Sequence, residues 1–256
     1  ESVIEELATM EEVRIFPRTT VFGYYDHNFL VMLERVTDHL HPNARKNPQP
    51  RQRLWKIRAK QVIIAAGAIE RPLVFPNNDR PGVMMASAVS VYLNRYAVKT
   101  GTRPVVFTNN DSAYQTVLDL DESGVPVEAV IDTRKDPQGP LPTLVKQRGI
   151  KVLDSHAVVN VYGTKRVKGV GVMHLDDTGE NVTGNVHKID CDLVAVSGGW
   201  NPTVHLHCQS GGKAEFDDTK ACFVPRESIQ EERSVGSCNG TFNLSGCIGE
   251  GYAAGA

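Results

Sequence analysis

The sequence has no long apolar segment and no block of basic residues. Its longest apolar run, residues 62–69, is interrupted by Gly67 and falls far short of the roughly 20 apolar residues that span a bilayer. Lysine and arginine number 28 against 30 aspartates and glutamates, so the net charge of −2 does not favour binding to nucleic acid through its phosphates. We therefore expect neither a membrane nor a nucleic acid as a partner.

Cysteine is sparse, and its 5 residues form no Cys-x-x-Cys pair. A redox-active disulfide or a four-cysteine zinc site is therefore not expected, and reduced packing cysteines fit a cytoplasmic location. His205 and His207 would share one face of a strand, but no further ligand has the spacing of a metal site, so the sequence predicts no metal. The spacing also yields no nucleophile–histidine arrangement, and no catalytic residue is assigned.

The remaining composition is that of an ordinary globular protein, with 41% hydrophobic and 23% charged residues. The 256 residues are enough for one large domain or two modest ones. The chain starts at Glu1 within an acidic helical pattern and ends on residues 251–256, which resemble the first turns of a helix. We therefore expect a central segment of a longer protein.

The first third of the sequence is rich in strand patterns. Residues 13–16, 19–25 and 29–36 are predicted as strands of a meander. Residues 62–68 are mostly β-branched or small with little alternation, which predicts a strand buried on both faces. This strand ends in two alanines and a glycine, and such small residues allow either a helix or a dinucleotide pyrophosphate to approach the backbone.

A strand–helix–strand unit follows. Residues 105–108 and 127–131 are predicted as strands and residues 112–123 as the helix between them, which is a βαβ unit. A β-meander and a second strand with small residues at its end, residues 191–202, complete the pattern. We therefore predict a partial outer domain (1–98), an inserted Rossmann-like domain (99–199) and a return to the outer domain (200–256).

The last segment is rich in glycine. Residues 240–251 are predicted as a short strand, a glycine-rich turn and the start of a helix. A helix N-terminus with free amides binds anions and phosphates.

Several long strings at these positions resemble one family: RTTVFGYYDHN, RQRLWKIRAKQVIIAAGAIERPLVFPNNDRPGVM, YLNRY, VVFTNNDSAY and CDLVAVSGGWNPTVHL. They resemble the pyridine-nucleotide-disulfide reductase superfamily and, within it, the alpha subunits of heterotetrameric sarcosine oxidases. The resemblance implies an α/β, FAD/NAD(P)-binding (glutathione reductase-like) fold with an inserted βαβ dinucleotide-type domain and a β-meander. The N-terminal Rossmann strand and glycine loop of that fold are absent from this sequence.

The resemblance also implies an activity. Such an oxidoreductase acts on the CH–NH group of sarcosine and gives glycine, hydrogen peroxide and a one-carbon unit for tetrahydrofolate. The family's alpha subunit binds NAD and helps to enclose an FMN at the interface with the beta subunit, which contains FAD and oxidises sarcosine. The implied partners are beta, gamma and delta subunits, and the folate site lies in a region that this chain lacks.

The resemblance places Thr108, Asn109, Asn110 and Ser112 where a dinucleotide fold has its glycine-rich turn. Their side chains would crowd a pyrophosphate, which makes ordinary NADH binding by the inserted domain doubtful. Asp132 stands where a ribose-binding acid is expected, but it is equally a loop residue at a strand end. The polar run is also suited to hydrogen bonds with a flavin at the subunit interface.

The outer domain contains the better cofactor candidates. Ala66, Gly67 and Ala68 match a turn that lies close to the dinucleotide in the superfamily, which would be NAD here. Gly246 and Cys247 match a Gly-Asp position whose acid holds a flavin ribityl hydroxyl, and Cys247 removes that acceptor. The departure argues against FAD in this domain.

Two other functions remain open. One is a non-catalytic scaffold with a degenerate nucleotide fold, and the other is a subunit of a related amine or opine dehydrogenase. In each case the isolated chain is expected to have little activity of its own.

Overall fold

The computed structural model describes residues 2–45 and 49–256. The chain divides into two compact units, one formed by Glu1–Ala68 with Pro202–Ala256 and the other by Ile69–Asn201. The helices and strands are, in chain order, α1 (Ser2–Thr9), β1 (Thr19–Tyr25), β2 (Phe29–Arg35), β3 (Gln52–Arg58), β4 (Val62–Ile64), β5 (Ala68–Glu70), β6 (Val83–Met85), α2 (Ala86–Tyr96), β7 (Pro104–Thr108), α3 (Ser112–Glu122), β8 (Ala129–Asp132), α4 (Pro140–Gln147), β9 (Val152–Leu153), β10 (His156–Tyr162), β11 (Gly169–Leu175), β12 (Val182–Ile189), β13 (Leu193–Ser197), β14 (Trp200–Pro202), α5 (His205–Gln209), β15 (Ala214–Asp217), β16 (Cys222–Pro225), β17 (Glu232–Ser234) and α6 (Leu244–Gly255).

The unit of residues 69–201 is built on a parallel sheet with the strand order β6-β13-β7-β8-β9. Every residue of β7 and β13 is buried, as expected for central parallel strands covered on both faces. Alternate residues point to opposite faces, so Val106 packs with α2, α3 and α4 whereas Val105 packs with the β10–β12 meander. The predicted βαβ unit followed by a meander is confirmed.

The unit of residues 1–68 and 202–256 contains three small sheets. β1, β2 and β3 form an antiparallel meander, β15 pairs with β16, and β17 pairs in parallel with β4. Tyr24, Ile64 and Cys238 form the centre of a small core. No residue of α6, all of which the structure describes, is buried.

Three local predictions are wrong. Residues 13–16 form no strand; the Phe16 ring instead lies edge-on to Trp55, with ring centres 5.1 Å apart. β4 is shorter than predicted and is not buried on both faces, because Ile63 is 48% exposed. The strand expected near residue 240 is absent, since a 3₁₀ turn ends at Asn239 and α6 begins at Leu244.

The predicted domain division at residues 98 and 199 stays a prediction. The compact units divide after residues 68 and 201, so that β6 and α2 lie in the same unit as the parallel sheet to which they contribute. Among the described residues, no helix combines the length and the apolar character that crossing a membrane requires.

Candidate functional site

The carboxyl ends of neighbouring parallel strands meet at one edge of the five-stranded sheet. β7 ends at Thr108, β8 at Asp132 and β13 at Ser197, and all three residues are fully buried. Ligands of open α/β sheets bind outside this edge, in the crevice where the strand order reverses. The strand order reverses at β7, between β13 and β8, so this sheet edge is a candidate site.

The structure brings the four residues predicted in the inserted domain into one turn between β7 and α3. Asn110 Nδ2 donates to Ser197 Oγ (3.0 Å) and to Asn109 Oδ1 (3.2 Å). Asn110 Oδ1 accepts from the Ser112 amide (3.1 Å), and Thr108 Oγ1 accepts from the Asn110 amide (3.1 Å). Amides that a bound phosphate would use are therefore already paired with side chains of this chain.

Trp200 covers the start of α3. Its indole Nε1 donates to Ser112 Oγ over 2.9 Å. The preceding Gly198 allows close packing, because a Cβ at that position would lie 2.8 Å from the Pro72 carbonyl oxygen. The predicted role of Trp200 as a packing anchor therefore has a defined contact at the sheet edge.

A charged network occupies the neighbouring strand end. Arg134 Nη2 lies 2.8 Å from Asp132 Oδ2, and Arg134 Nη1 lies 2.8 Å from Asp111 Oδ1. Tyr114 Oη also donates to Asp132 Oδ2 (2.9 Å), and the Arg134 amide and Nε both donate to Asp132 Oδ1. The buried Asp132 carboxylate is thus occupied by its own unit and is not free to bind a ribose.

The electrostatics of this network follow from its burial. Burial and the nearby Asp132 charge raise the pKa of the Tyr114 hydroxyl far above its usual range. Burial opposes the charge of Arg134, but its hydrogen bonds to Asp132 and Asp111 outweigh that effect and raise the guanidinium pKa above its ordinary value. The Asp111 carboxylate, 42% exposed, would in addition repel a phosphate. The residues at this edge do not fit a dinucleotide pyrophosphate.

The other unit has a second edge of the same kind, after β4. Ala65 and Ala66 are exposed, and Gly67 has φ of 74°. A methyl group added to Gly67 would meet no atom within 4 Å. The Gly67 carbonyl accepts from the Thr203 amide (2.9 Å), which fixes the turn in place. The predicted turn at Ala66–Ala68 is therefore open to close approach by another molecule, as cofactor binding requires.

The parallel partner strand β17 leads into a turn that the sequence pattern did not predict. Gly236 has φ of 69°, and its amide donates to Glu250 Oε2 (2.7 Å). Glu250 also accepts from Asn239 Nδ2 (3.3 Å) and from the Thr241 hydroxyl. Partial burial opposes its charge, but the hydrogen bonds from Thr241 and Gly236 outweigh burial and lower the pKa of the carboxyl.

Gly246 and Cys247 lie in the first turn of α6 rather than at a strand end. The Gly246 amide donates to Asn243 Oδ1 (2.7 Å), which caps the helix, and Cys247 Sγ donates to the Thr241 carbonyl (3.1 Å). A Cβ on Gly236 would lie 3.5 Å from Cys247 Sγ. The glycine that directly follows the parallel strand is therefore Gly236, and β17, Glu-Arg-Ser, has no apolar pattern by which to predict it.

An open cleft of about 400 Å³ lies beside β17 in this unit. Its lining includes Arg233, Val235, Asn239 and Glu250. Its size is within the range of small-molecule sites. Its described lining residues do not include the predicted Ala66–Ala68 or Gly246 and Cys247.

The histidines near residue 205 have a different setting from the one expected. His205 and His207 lie on helix α5 and not on a strand. His207 is buried, its Nδ1 lies 2.6 Å from Glu232 Oε1, and its Nε2 lies 3.2 Å from the Lys213 carbonyl. Across the described ranges, no group of three or more His, Cys, Asp or Glu residues is arranged to hold a metal ion.

Solved structures with the same fold define the class of the chain. L-proline dehydrogenase from P. horikoshii gives a TM-score of 0.60 at 21% identity, covering 93% of this chain and 40% of its own. Thioredoxin reductase from Lactococcus lactis gives a TM-score of 0.62 at 16% identity, covering 92% of this chain and 71% of its own. The chain therefore has the FAD/NAD(P)-binding, disulfide-oxidoreductase-like α/β fold, as the sequence predicted. No protein-family model matches it.

The relatives narrow this class. The sarcosine oxidase alpha subunit of Corynebacterium sp. (strain U-96) is 40% identical over 255 residues, which are 99% of this chain and 26% of the relative. That of Rhizobium meliloti (strain 1021) is 40% identical over 249 residues, or 97% and 24%. An opine oxidase subunit of Agrobacterium tumefaciens (strain Ach5) is 26% identical over 181 residues, or 66% and 36%.

Over its whole length, the chain is a homologue of a segment of the sarcosine oxidase alpha subunits, and it belongs to that family. It spans about a quarter of the length of these relatives. The resemblance found in the sequence is therefore confirmed.

Proposed function

We propose that this chain is a segment of the NAD-binding alpha subunit of a sarcosine oxidase complex. The observation that carries the proposal is the 40% identity over 99% of the chain. The complex oxidises the CH–NH group of sarcosine to give glycine and hydrogen peroxide and passes the one-carbon unit to tetrahydrofolate. Its other members are beta, gamma and delta subunits, its folate site lies outside this chain, and it is cytoplasmic.

Amine oxidation takes place on the beta subunit in this proposal. Support comes from the sheet edge, where the ionisable groups that the structure describes are engaged with one another. Arg134 pairs with Asp111 and Asp132, and Tyr114 donates to Asp132. No proton acceptor suited to a substrate amine is thereby left at this edge among the described residues, so the isolated chain has little or no activity.

NAD binds to the outer unit in this proposal, at the turn of Ala66, Gly67 and Ala68. The exposed alanine and the open space around Gly67 support close approach of a dinucleotide. Gly246 and Cys247 contribute by their small size and position, since the Gly246 amide is already paired with Asn243. The relatives contain residues beyond this segment, and those would complete the site.

FMN lies between this chain and the beta subunit, and FAD lies within the beta subunit. The flavins supply the redox chemistry by accepting the electrons of the amine. The side of this chain that faces the FMN is formed by Thr108, Asn109, Asn110 and Ser112. The support is that these four polar side chains lie together in one turn at a sheet edge, with Asn109 and Asn110 only partly buried.

Two further functions have specific support. The similarity to the opine oxidase of Agrobacterium tumefaciens favours a related amine or opine dehydrogenase. The filled turn at Asn110 favours a scaffold, in which the nucleotide fold serves only to pack against a flavin-containing partner.

The test is to express the chain within its full-length subunit, together with the other subunits, and to measure turnover of sarcosine, other N-methyl amines and opines. We expect sarcosine to be the preferred substrate. Turnover of an opine with sarcosine inert would transfer the assignment to the opine enzymes. Thermal unfolding with millimolar NAD separates the scaffold, because a ligand at 100 times its Kd stabilises by about 2.7 kcal/mol and a scaffold shows no shift.

A further inference from the structure

One face of helix α2 is aromatic, cationic and covered by nothing that the structure describes. Val91, Tyr92, Arg95 and Tyr96 lie together on it, and we call them the tyrosine stripe. Val91, Tyr92 and Tyr96 are 48%, 45% and 59% exposed. The buried residues of α2, Ala86, Val89 and Leu93, lie on a different face and pack in the core.

The side chains of the stripe contact one another. The Tyr92 and Tyr96 rings have centres 6.0 Å apart, and the Arg95 guanidinium lies 5.9 Å from the centre of the Tyr96 ring. Tyrosine and arginine are among the side chains most enriched in the residues that dominate the energy of protein interfaces. Four such neighbouring residues on one helix are more than the singly scattered apolar residues of an ordinary surface.

The charge around the stripe has one sign. Between Asp79 and Asp111 the sequence contains no acidic residue, and it contains Arg95 and Lys99 next to the stripe. The carboxylate that contacts α2 is Asp119 of α3, and it is engaged by Ser90 Oγ (2.8 Å) and Asn94 Nδ2 (2.9 Å). Among the described residues, Arg95 and Lys99 have no ion-pair partner. The complementary surface is therefore acidic around an apolar centre.

We infer that the tyrosine stripe docks a different protein chain, whose surface has an apolar centre flanked by Asp or Glu. The inference rests on the proposed function in one respect, since it identifies that chain as another subunit of the complex. The tyrosines fill apolar recesses of the partner, and Arg95 and Lys99 pair with its carboxylates.

The first experiment compares two matched double variants in the assembled complex. Tyr92→Ser with Tyr96→Ser removes the stripe. Phe216→Ser with Phe223→Ser is the control, because those rings are also exposed and in contact, 5.3 Å apart. We expect the first variant to weaken binding of the partner by at least about tenfold, and the control to leave the Kd unchanged. Equal affinities in the two variants would overturn the inference.

Charge is tested at Arg95. Arg95→Glu places a carboxylate opposite the carboxylates of the partner, so association becomes slower and weaker, whereas Arg95→Lys retains binding. Thermal unfolding of the isolated chain monitors folding, which these exposed positions should leave unchanged. Tolerance of Arg95→Glu with full affinity would contradict the acidic partner.

A cross-linking measurement requires no variant. A carbodiimide joins an amine to a carboxylate in direct contact without a spacer. In the unaltered complex we expect Lys99 to be joined to an Asp or Glu of a different chain. A link to a second copy of this chain, or no link from Lys99, would overturn the inference.

The outcome is separable from that of the proposed function. A complex that assembles through the stripe but does not oxidise sarcosine would remove the proposed substrate and retain the docking surface. A complex that oxidises sarcosine and tolerates loss of both tyrosines would do the reverse.

Discussion

At the scale of single residues, Asp132 shows how neighbours decide the role of a side chain. Its position at the end of a parallel strand is that of a ribose-binding acid in a dinucleotide fold. Here the carboxylate is fully buried and accepts hydrogen bonds from Tyr114 and Arg134. It joins the end of β8 to α3, so its contribution in this structure is to stability.

We predict that Asp132→Ala destabilises the chain by about 3 kcal/mol, because it leaves Arg134 and the Tyr114 hydroxyl without their buried partner. The matched control is Asp177→Ala, which breaks an ion pair with Lys135 whose side chains are 96% and 80% exposed. That control should change the free energy of unfolding by less than about 0.5 kcal/mol. Urea denaturation measures both, and equal values would contradict the structural role of Asp132.

Glu250 makes stability depend on pH. Its hydrogen bonds hold the folded-state pKa of the carboxyl below the ordinary value of 4.5. The ionised group therefore stabilises the fold fully above about pH 4.5, and this contribution is lost as the pH falls through the lower folded-state pKa. At pH 7 we expect Glu250→Gln to reduce the free energy of unfolding by about 1–2 kcal/mol.

Denaturation at a series of pH values measures this effect. The difference between the parent protein and Glu250→Gln should narrow below about pH 4, where the parent loses its charge. Glu180→Gln is the control, since Glu180 is exposed. A difference that stays constant down to about pH 3 would show that Glu250 acts through packing and not through its charge.

At the scale of elements, asparagine side chains determine how two helices begin. Asn110 closes the turn before α3, and Asn243 caps α6 by accepting from the Gly246 amide. Capped amides stabilise a helix but are no longer available to an anion. The same residue type therefore lowers the capacity of both helix starts to bind phosphate.

We predict that Asn243→Ala costs about 1 kcal/mol, the usual contribution of an N-cap. Asn185→Ala on the exposed strand β12 is the control and should be close to neutral. Thermal unfolding measures the change. A neutral Asn243→Ala would mean that water replaces the cap without loss.

The sequence predicts some elements well and others poorly. β7 and α3 are predicted almost to the residue, since an apolar run and an amphipathic pattern both report local burial. β17 contains Glu, Arg and Ser, and it is a strand only because it pairs with β4, some 170 residues earlier in the chain. The segment at residues 13–16 alternates like a strand, but no neighbouring strand that the structure describes pairs with it.

At the scale of the whole molecule, the chain consists of two compact units with unequal cores. Buried strands and helices fill both faces of the sheet in residues 69–201. The core of the other unit is small, and Ile63 beside it is half exposed. Units with separate cores do not have to unfold in one step.

We predict two unfolding transitions in calorimetry. Leu193→Ala, in the larger core, should lower the midpoint of one transition, and Ile64→Ala, in the smaller core, should lower the other. Each substitution deletes a buried side chain and costs about 2–4 kcal/mol. A single transition that both substitutions shift equally would show that the two units unfold together.

The sequence by itself determined the class of fold, the βαβ unit and its meander, the small-residue turn at Ala66–Ala68 and the family resemblance, because local periodicity and long matching strings need no knowledge of distant contacts. Only the tertiary structure decided which of these turns is open. Asn110 meets Ser197, Arg134 joins Asp111 to Asp132, and Gly236 meets Glu250. Most of these contacts join residues that are apart in the chain, so they exist only once the strands and helices have packed.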